Sequence, residues 1–199
     1  MGNSFMEKLL TSYSHLYLEA GCDEAGRGCL CGPVVAAAVV VSDALKNEFI
    51  NDSKKLNFKK RENLSAFIQQ NAMDYGIATV DVDFIDTHNI LWAAIHAMHL
   101  ALDQLTVRPE LIIVDGNRFL PYPFVPHQCI VKGDAKYLSI ASASILAKNH
   151  RDAIMLELHE EYPEYGWNKN MGYATKVHQE ALRKFGPTPH HRKTFRLEY

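Results

Sequence analysis

Residues 17–41 read YLEAGCDEAGRGCLCGPVVAAAVVV, and this stretch predicts two strands joined by a glycine-rich turn. The first strand is an apolar approach that ends at Cys22, and the turn DEAGRG follows at 23–28. After Gly32 and Pro33, residues 34–41 form a run of valine and alanine, which is typical of a strand buried on both faces. The stretch therefore predicts a strand, a turn and a core strand in succession.

Helical and strand patterns alternate along the rest of the chain. They predict a helix ending at Gln70, strands at 73–80, 111–114 and 128–131, and helices at about 83–105, 139–162 and 175–185. Pro109 is expected to end the long amphipathic helix at 83–105. This order predicts an α/β layer fold with a mixed sheet. We expect one domain over residues 1–199, in which 163–199 form a helical, basic C-terminal extension.

Composition places the chain among ordinary globular proteins. It has 199 residues, of which 47% are hydrophobic and 22% charged. Three of the four cysteines crowd one short segment, and Cys29 and Cys31 are too close for a zinc-binding pair, so we expect neither disulfides nor a cysteine metal site. The sequence has no apolar run of about 20 residues and no signal peptide, which predicts a reduced, cytoplasmic protein without a membrane partner.

The net charge of -2, from 21 basic and 23 acidic residues, by itself argues against a nucleic-acid partner. The charge is unevenly distributed, however. Residues 166–199 carry seven lysines and arginines against two glutamates, and a second basic cluster comprises Lys54, Lys55, Lys59, Lys60 and Arg61. Such a distribution favours contact with phosphates, so the distribution is more informative than the net charge.

Acidic residues follow three of the predicted strands. Asp23, Asp115 and Asp134 each lie at or just after the end of an apolar run. Because the carboxyl ends of parallel strands meet at one edge of a sheet, we expect these carboxylates to gather there. Gathered carboxylates repel one another unless a cation joins them, and oxygen ligands select Mg²⁺ or Mn²⁺. Two such ions about 4 Å apart are suited to phosphodiester hydrolysis.

Glu24 poses a geometric difficulty because adjacent residues of a strand point to opposite faces. Either the strand breaks at Asp23, or Glu24 contributes through its backbone carbonyl. Gly26 and Gly28 make a break plausible and let backbone N–H groups approach a ligand closely. A single aspartate after a strand is usually a turn former or a helix cap. Three of them beside a glycine-rich loop favour a site.

Seven short blocks together resemble the bacterial ribonuclease HII family, in the family's order and over nearly the whole chain. They are DEAGRG at 23–28, GPVVAA at 32–37, DSKKL at 52–56, DGN at 115–117, KGD at 132–134, SILAK at 144–148, and GY at 172–173 with HHR at 190–192. The resemblance implies a ribonuclease H-like fold, with a mixed five-stranded sheet flanked by helices and a helical C-terminal extension. It also implies an endonuclease that cuts the RNA strand of RNA–DNA hybrids and cuts 5′ of single ribonucleotides embedded in duplex DNA, leaving 3′-hydroxyl and 5′-phosphate ends.

The resemblance also assigns roles to residues. The catalytic metal ligands would be four acids that hold Mg²⁺ or Mn²⁺ in a two-metal site: Asp23, Glu24, Asp115 and Asp134. The substrate contacts would be backbone atoms that read the ribose 2′-hydroxyl, an aromatic ring at the RNA-to-DNA junction, and lysines near phosphates: Gly26, Arg27, Gly28, Tyr173, Lys54, Lys55 and Lys148. The implied partner is an RNA–DNA hybrid or a duplex with embedded ribonucleotides, bound by a monomer that removes ribonucleotides and degrades RNA primers during DNA replication.

Several other side chains have ordinary interpretations. We expect Asp152 to pair with Lys148 one helical turn away rather than to act as a catalyst. His96 and His99 are interpreted as simple helix residues. Three apolar side chains are assigned to the core rather than to base stacking: Phe84, Trp92 and Met98.

Two further features leave alternatives open. His190 and His191 belong to the basic tail, where substrate contact and plain solvation are comparable interpretations. Cys29 and Cys31 stand where the family usually has proline and alanine. This departure makes loop rigidity less certain, and it predicts sensitivity to oxidation if Cys29 is exposed.

Two other function classes compete with the hybrid-cutting enzyme. One is a nuclease or strand-transfer enzyme of the same fold that acts on DNA alone, which would have no use for a backbone loop that reads a 2′-hydroxyl. The other is a hybrid-binding module that has lost catalysis. The complete set of four acids argues against that module.

Overall fold

Five strands pair into one mixed sheet. The computed structural model describes residues 9–45, 50 and 58–196. The strands are β1 (Glu19–Ala25), β2 (Val34–Val40), β3 (Asp74–Val80), β4 (Leu111–Asp115) and β5 (His127–Ile130). They lie in the order β3-β2-β1-β4-β5, in which β1, β2 and β3 are antiparallel neighbours and β4 and β5 run parallel to β1. The predicted mixed five-stranded sheet is confirmed, and β1 lies at its centre.

In the described part of the chain, six α-helices accompany the sheet: α1 (Phe58–Asn71), α2 (Val82–His88), α3 (Ile90–Asp103), α4 (Leu138–Glu161), α5 (Trp167–Asn170) and α6 (Lys176–Phe185). The core helix α3 packs on one face of the sheet, and α4 packs on the other together with α1. Within the described ranges, no helix is both long and apolar enough to cross a membrane.

The sequence of β2 explains why both faces of the sheet are covered. All seven of its residues are buried, and because side chains alternate along a strand, alternate valines and alanines pack toward α3 and toward α4. On β1, Gly21 brings α4 close, since a Cβ atom there would lie 2.4 Å from the backbone carbon of Ser139. The valine, alanine and glycine pattern therefore fixes α4 against the centre of the sheet.

The single helix predicted at 83–105 is wrong, because the chain forms two helices with a break at Asn89. Asn89 adopts φ 68°, and its side-chain oxygen accepts hydrogen bonds from the backbone N–H groups of Leu91 and Trp92. With ψ 163° the residue lies outside the left-handed helical region that asparagine usually tolerates, and its side chain replaces the missing helical hydrogen bonds. Met98 is buried as predicted, whereas Trp92 is 43% exposed and does not belong to the core.

The segment after α4 forms a small aromatic core of its own. Tyr165 and Trp167 stack with ring centroids 5.1 Å apart, and the rings of His178 and His191 lie against them. Both histidines are buried. The prediction that His191 belongs to a solvated or substrate-contacting basic tail is therefore wrong, because its ring is enclosed by aromatic side chains.

Candidate active site

Strand β1 carries the first two acids of the site within its length. The strand continues past Cys22 to Ala25, and Asp23 and Glu24 pair with Ala37 and Ala36 of β2. The strand does not break at Asp23, so the first proposed solution to the Glu24 difficulty is wrong, whereas a contribution of Glu24 through its backbone carbonyl stays a prediction. Asp23 and Glu24 both line one cavity. The prediction that the strand ends at Cys22 is wrong, since the ladder with β2 extends across both acids.

Asp115 is brought beside them by the parallel pairing of β4 with β1. It is the last residue of β4. Val114, the residue before it, pairs with Cys22, the residue before Asp23. The carboxylate of Asp115 accepts a hydrogen bond of 2.7 Å from the backbone N–H of Gly133. Asp134 follows in the same short turn, which comes after β5. The cavity itself is lined by Asp23, Glu24 and Asp115 and not by Asp134.

The negative charges of the three carboxylates repel one another. Burial raises the pKa of Asp23 well above its usual range, and the charges of Glu24 and Asp115 raise it further. Burial also raises the pKa of Glu24, although a 2.9 Å ion pair with Arg27 opposes that shift. The second carboxylate oxygen of Glu24, Oε2, is buried without a hydrogen-bond partner. A cavity with this orphaned oxygen and three acids fits a divalent cation with oxygen ligands.

The glycine-rich loop forms another wall of the same cavity, whose volume is about 360 Å³. Gly26 adopts φ 98°, and a Cβ atom there would lie 2.1 Å from Nε of Arg151 and 2.9 Å from the carbonyl oxygen of Pro33. Only glycine fits that conformation and that space. At Gly28 a Cβ atom would make only an ordinary contact of 3.8 Å with the ring of Tyr173. The loop and this ring are therefore close neighbours in the lining of the cavity.

Tyr173 is 47% exposed, but its backbone is held firmly. Its N–H donates to the carbonyl of Asn170 at 2.9 Å, and its own carbonyl accepts from Nδ1 of His178 at 2.9 Å. Burial raises the pKa of the Tyr173 hydroxyl, so the side chain stays neutral. The result is an aromatic ring with a neutral hydroxyl, fixed in place and open to a ligand.

A hydrogen-bonded pair of histidines supports that backbone contact. Since Nδ1 of His178 must donate to Tyr173, Nε2 of His178 accepts hydrogen bonds from the indole N–H of Trp167 and from Nε2 of His191, at 3.2 and 3.0 Å. Nδ1 of His191 in turn accepts from the backbone N–H of Thr188 at 2.9 Å. Both rings must therefore be neutral.

This pair predicts a loss of stability in mild acid. Burial lowers the pKa of His191 from 6.5 to about 4, and His178 disfavours its charge further. The contribution of neutral His191 to the stability of the folded state is therefore complete above pH 6.5 and is lost as the pH falls toward 4. Between pH 8 and pH 5 this residue should lower the free energy of unfolding by about 2 kcal/mol.

Chemical denaturation of wild type and His191→Asn across that pH range measures the effect. The variant should be less stable at pH 8 and should lose about 2 kcal/mol less than wild type on acidification. His190→Asn is the matched control, because the His190 ring lies outside this pair, and it should follow wild type. Parallel profiles for wild type and His191→Asn would exclude the protonation model.

Two basic residues near the site share one acidic partner, Asp152. Nζ of Lys148 lies 3.2 Å from Oδ1 of Asp152, which confirms the predicted pairing, and Oδ2 of Asp152 accepts from Nη2 of Arg61 at 2.5 Å. Lys148 and Asp152 both line the cavity. Lys54 and Lys55 lie outside the described residues. The phosphate contacts of the three lysines remain predictions.

The two cysteines beside the glycine-rich loop are buried. Cys29 and Cys31 have no exposed surface, and burial raises the pKa of both thiols, that of Cys31 to about 12. The condition for oxidation, an exposed Cys29, is not met. Cys31 lies with His178 and His191 in one group whose potential ligand atoms are within 4.8 Å of one another. The imidazole nitrogens in this group already have the hydrogen-bond partners described above.

Sequence reasoning missed two arginines of the site, Arg151 and Arg192. Both are buried, and both donate hydrogen bonds to backbone carbonyls of residues 26–33. Their partners lie more than 100 positions away in the chain, so no local pattern could indicate the contact. In the sequence, Arg192 is one more charge in a basic tail.

Comparison with known proteins points to one family. The family model described as Ribonuclease HII matches residues 20–199. A ribonuclease HII of Christiangramia forsetii is 54% identical over 189 residues, which are 95% of this chain and 96% of that protein. One of Parabacteroides distasonis is 58% identical over 180 residues, 90% of each chain.

Solved structures with the same fold include two ribonucleases of this kind. Ribonuclease H2 from Pyrococcus horikoshii has a TM-score of 0.76 at 29% identity and covers 90% of this chain and 94% of its own. Ribonuclease HII of Archaeoglobus fulgidus, solved in a complex with PCNA, has a TM-score of 0.73 at 27% identity, with 88% and 92% covered.

The family match spans nearly the whole chain, and the relatives are more than half identical over about nine-tenths of it or more. Ribonuclease H activity is directed at RNA–DNA hybrids. The chain belongs to the ribonuclease HII family, and it is an endoribonuclease of the ribonuclease H class.

Proposed function

We propose that this ribonuclease H also recognises single ribonucleotides embedded in duplex DNA and cuts on their 5′ side, leaving a 3′-hydroxyl and a 5′-phosphate. The observation that carries the proposal is one cavity lined by Asp23, Glu24 and Asp115 together with the glycine-rich loop and Tyr173. Acids suited to hydrolysis and groups suited to reading a sugar are thereby placed side by side.

The acids would hold Mg²⁺ or Mn²⁺. The unpartnered Oε2 of Glu24 and the raised pKa of Asp23 support this assignment. A cation would coordinate that oxygen, and its positive charge would stabilise the charged carboxylate of Asp23. Asp134, in the turn whose Gly133 contacts Asp115, would complete the ligand set. Two such ions activate water and stabilise the leaving oxygen in phosphodiester hydrolysis.

The remaining residues would select the ribose. Only the 2′-hydroxyl distinguishes RNA from DNA at a single nucleotide, so donors and acceptors must be placed against it. Backbone atoms of Gly26, Arg27 and Gly28 would supply them. The ring of Tyr173 would contact this ribose and the following deoxyribose, which lacks the hydroxyl. Lys148, with Lys54 and Lys55, would contact flanking phosphates.

One competing interpretation, an enzyme that acts on DNA alone, is less well supported. An enzyme that acts on DNA alone would not need a glycine loop that faces an aromatic ring beside the acids.

We further propose that the chain acts as a single-domain, cytoplasmic monomer, with 163–199 as its C-terminal extension, in ribonucleotide removal and primer degradation. Chromatography with light scattering tests the monomer, and a mass of twice 22.5 kDa would contradict it.

Metal dependence is tested by incubating the enzyme with a duplex DNA that contains one ribonucleotide, in Mg²⁺, in Mn²⁺ and in EDTA. We expect cleavage with either ion and none with EDTA. An all-DNA duplex of the same sequence is the control and should stay intact. Cleavage in EDTA would exclude the metal assignment, and cleavage of the all-DNA duplex would exclude ribose selection.

A further inference from the structure

Arg151, on α4, and Arg192, after α6, are buried arginines without acidic partners. Arg151 is 2% exposed and Arg192 is 0% exposed. Within residues 9–45, 50 and 58–196, neither side chain forms an ion pair, and every hydrogen bond that they donate ends on a backbone carbonyl. Burying a guanidinium without a counter-charge costs free energy, so each arginine must contribute something specific.

Arg192 ties together the two ends of the loop between β1 and β2, residues 26–33, which contains the glycine-rich segment. At one end, its Nη2 donates to the carbonyl of Gly26 at 2.7 Å and its Nη1 to that of Arg27 at 3.0 Å. At the other end, its Nε donates to the carbonyl of Gly32 at 3.1 Å. A guanidinium has five donors in a rigid plane, which suits this arrangement.

These contacts also fix where the loop's own donors point. In a trans peptide the C=O of one residue and the N–H of the next point in opposite directions, and the described chain has no cis peptide bond. With the carbonyls of Gly26 and Arg27 turned toward Arg192, the N–H groups of Arg27 and Gly28 point away from it. Neither N–H donates a hydrogen bond within the described part of the chain, and both residues line the cavity beside the acids.

We propose that Arg192 is a positioning residue for ribose recognition. By holding two carbonyls, it presents the N–H groups of Arg27 and Gly28 to the 2′-hydroxyl of the substrate. The inference rests on the proposed function, because it requires that this cavity receives a ribose. Arg192 itself does not touch the substrate and acts only through the backbone of the loop.

Arg151 provides a matched comparison. It is equally buried and donates to the carbonyls of Pro33, Cys31 and Met171, but not to those of Gly26 or Arg27. Lysine at either position keeps the charge and the aliphatic stem, but its compact ammonium cannot span several carbonyls. Arg192→Lys and Arg151→Lys therefore lose similar packing, and only the first releases the two peptide planes.

The test measures binding in the background of Asp115→Asn, so that the duplex is not consumed. Dissociation constants are compared for a duplex with one ribonucleotide and for the same duplex entirely of DNA. The preference for ribose is the dissociation constant of the all-DNA duplex divided by that of the ribonucleotide duplex. Arg192→Lys should lower this ratio about tenfold, the loss expected for one well-placed hydrogen bond. Arg151 also lines the cavity and packs against Gly26, so Arg151→Lys measures the effect of lost packing there, and its ratio should fall clearly less than that of Arg192→Lys.

Each result has one interpretation. A folded Arg192→Lys that keeps the parent's ratio overturns the inference, and so does an equal fall in Arg151→Lys. If the parent itself does not distinguish the duplexes, it is the proposed function that fails.

A second measurement needs no change at Arg192. In amide spectra of the Asp115→Asn protein, the Arg27 and Gly28 signals should shift with the ribonucleotide duplex and not with the all-DNA duplex. Equal shifts with both duplexes would contradict the inference.

Discussion

Replacing Asp115 by asparagine is expected to abolish cleavage while leaving hybrid binding intact. The loss should be on the order of 10³-fold, because removing a ligand of a catalytic metal removes several kcal/mol of transition-state stabilisation. Asparagine keeps an oxygen that can accept the hydrogen bond from Gly133, so the turn that carries Asp134 should stay in place. Single-turnover cleavage of a labelled hybrid, with binding measured in parallel, gives both quantities.

The same variant separates chemistry from folding. Asp115 raises the pKa of both Asp23 and Glu24, so removing its charge relieves repulsion in the metal-free protein. Asp115→Asn should therefore be at least as stable as wild type in EDTA. Added Mn²⁺ should stabilise wild type, because a ligand that binds only the folded state favours it, and should stabilise the variant much less. A variant that cuts at nearly the wild-type rate would remove Asp115 from the mechanism.

Replacing Tyr173 by alanine is expected to weaken cleavage at a single ribonucleotide by about 100-fold, roughly the effect of losing an aromatic contact to the substrate and one hydrogen bond. The backbone of Tyr173 is held by Asn170 and His178, so removal of the side chain should leave the segment in place. Cleavage of a continuous hybrid should fall less, since the proposed contact is at the RNA-to-DNA junction.

Tyr173→Phe is the matched control. It keeps the ring that faces Gly28 and loses only the hydroxyl, so its cleavage of the single-ribonucleotide duplex should lie between those of wild type and Tyr173→Ala. The measured quantity is kcat/KM on the single-ribonucleotide duplex and on the continuous hybrid. If wild type and Tyr173→Ala cut the single-ribonucleotide duplex equally, the junction role is refuted.

Local patterns predicted most of the fold. The valine and alanine run of β2 and the short apolar run of β4 are strands, since burial on both faces leaves a clear signature in sequence. The exact ends were less predictable. Strand β1 continues across Asp23 and Glu24 because β2 offers it a full ladder, which is a property of the partner strand. Asn89 breaks the long helix because its side chain caps α3, although the apolar spacing continues through it.

The candidate site was predictable where chemistry is local and not where it depends on distant contacts. The convergence of Asp23 and Asp115 follows from parallel pairing, which their positions beside apolar runs indicate. The burial of His191 and Arg192 does not follow from the surrounding residues, because an aromatic core and a distant loop enclose them. A charged tail and a buried support for the glycine-rich loop look alike in sequence.

The central claim is that the cavity recognises a ribose and that its acids direct water, and not the ribose hydroxyl, at the phosphorus. Mapping the cut in a duplex with one ribonucleotide, with identification of both new ends, tests it most directly. The account predicts one cut on the 5′ side of the ribonucleotide, with a 3′-hydroxyl and a 5′-phosphate. A cut on the 3′ side that leaves a cyclic phosphate would contradict it, because the 2′-hydroxyl would then be the nucleophile.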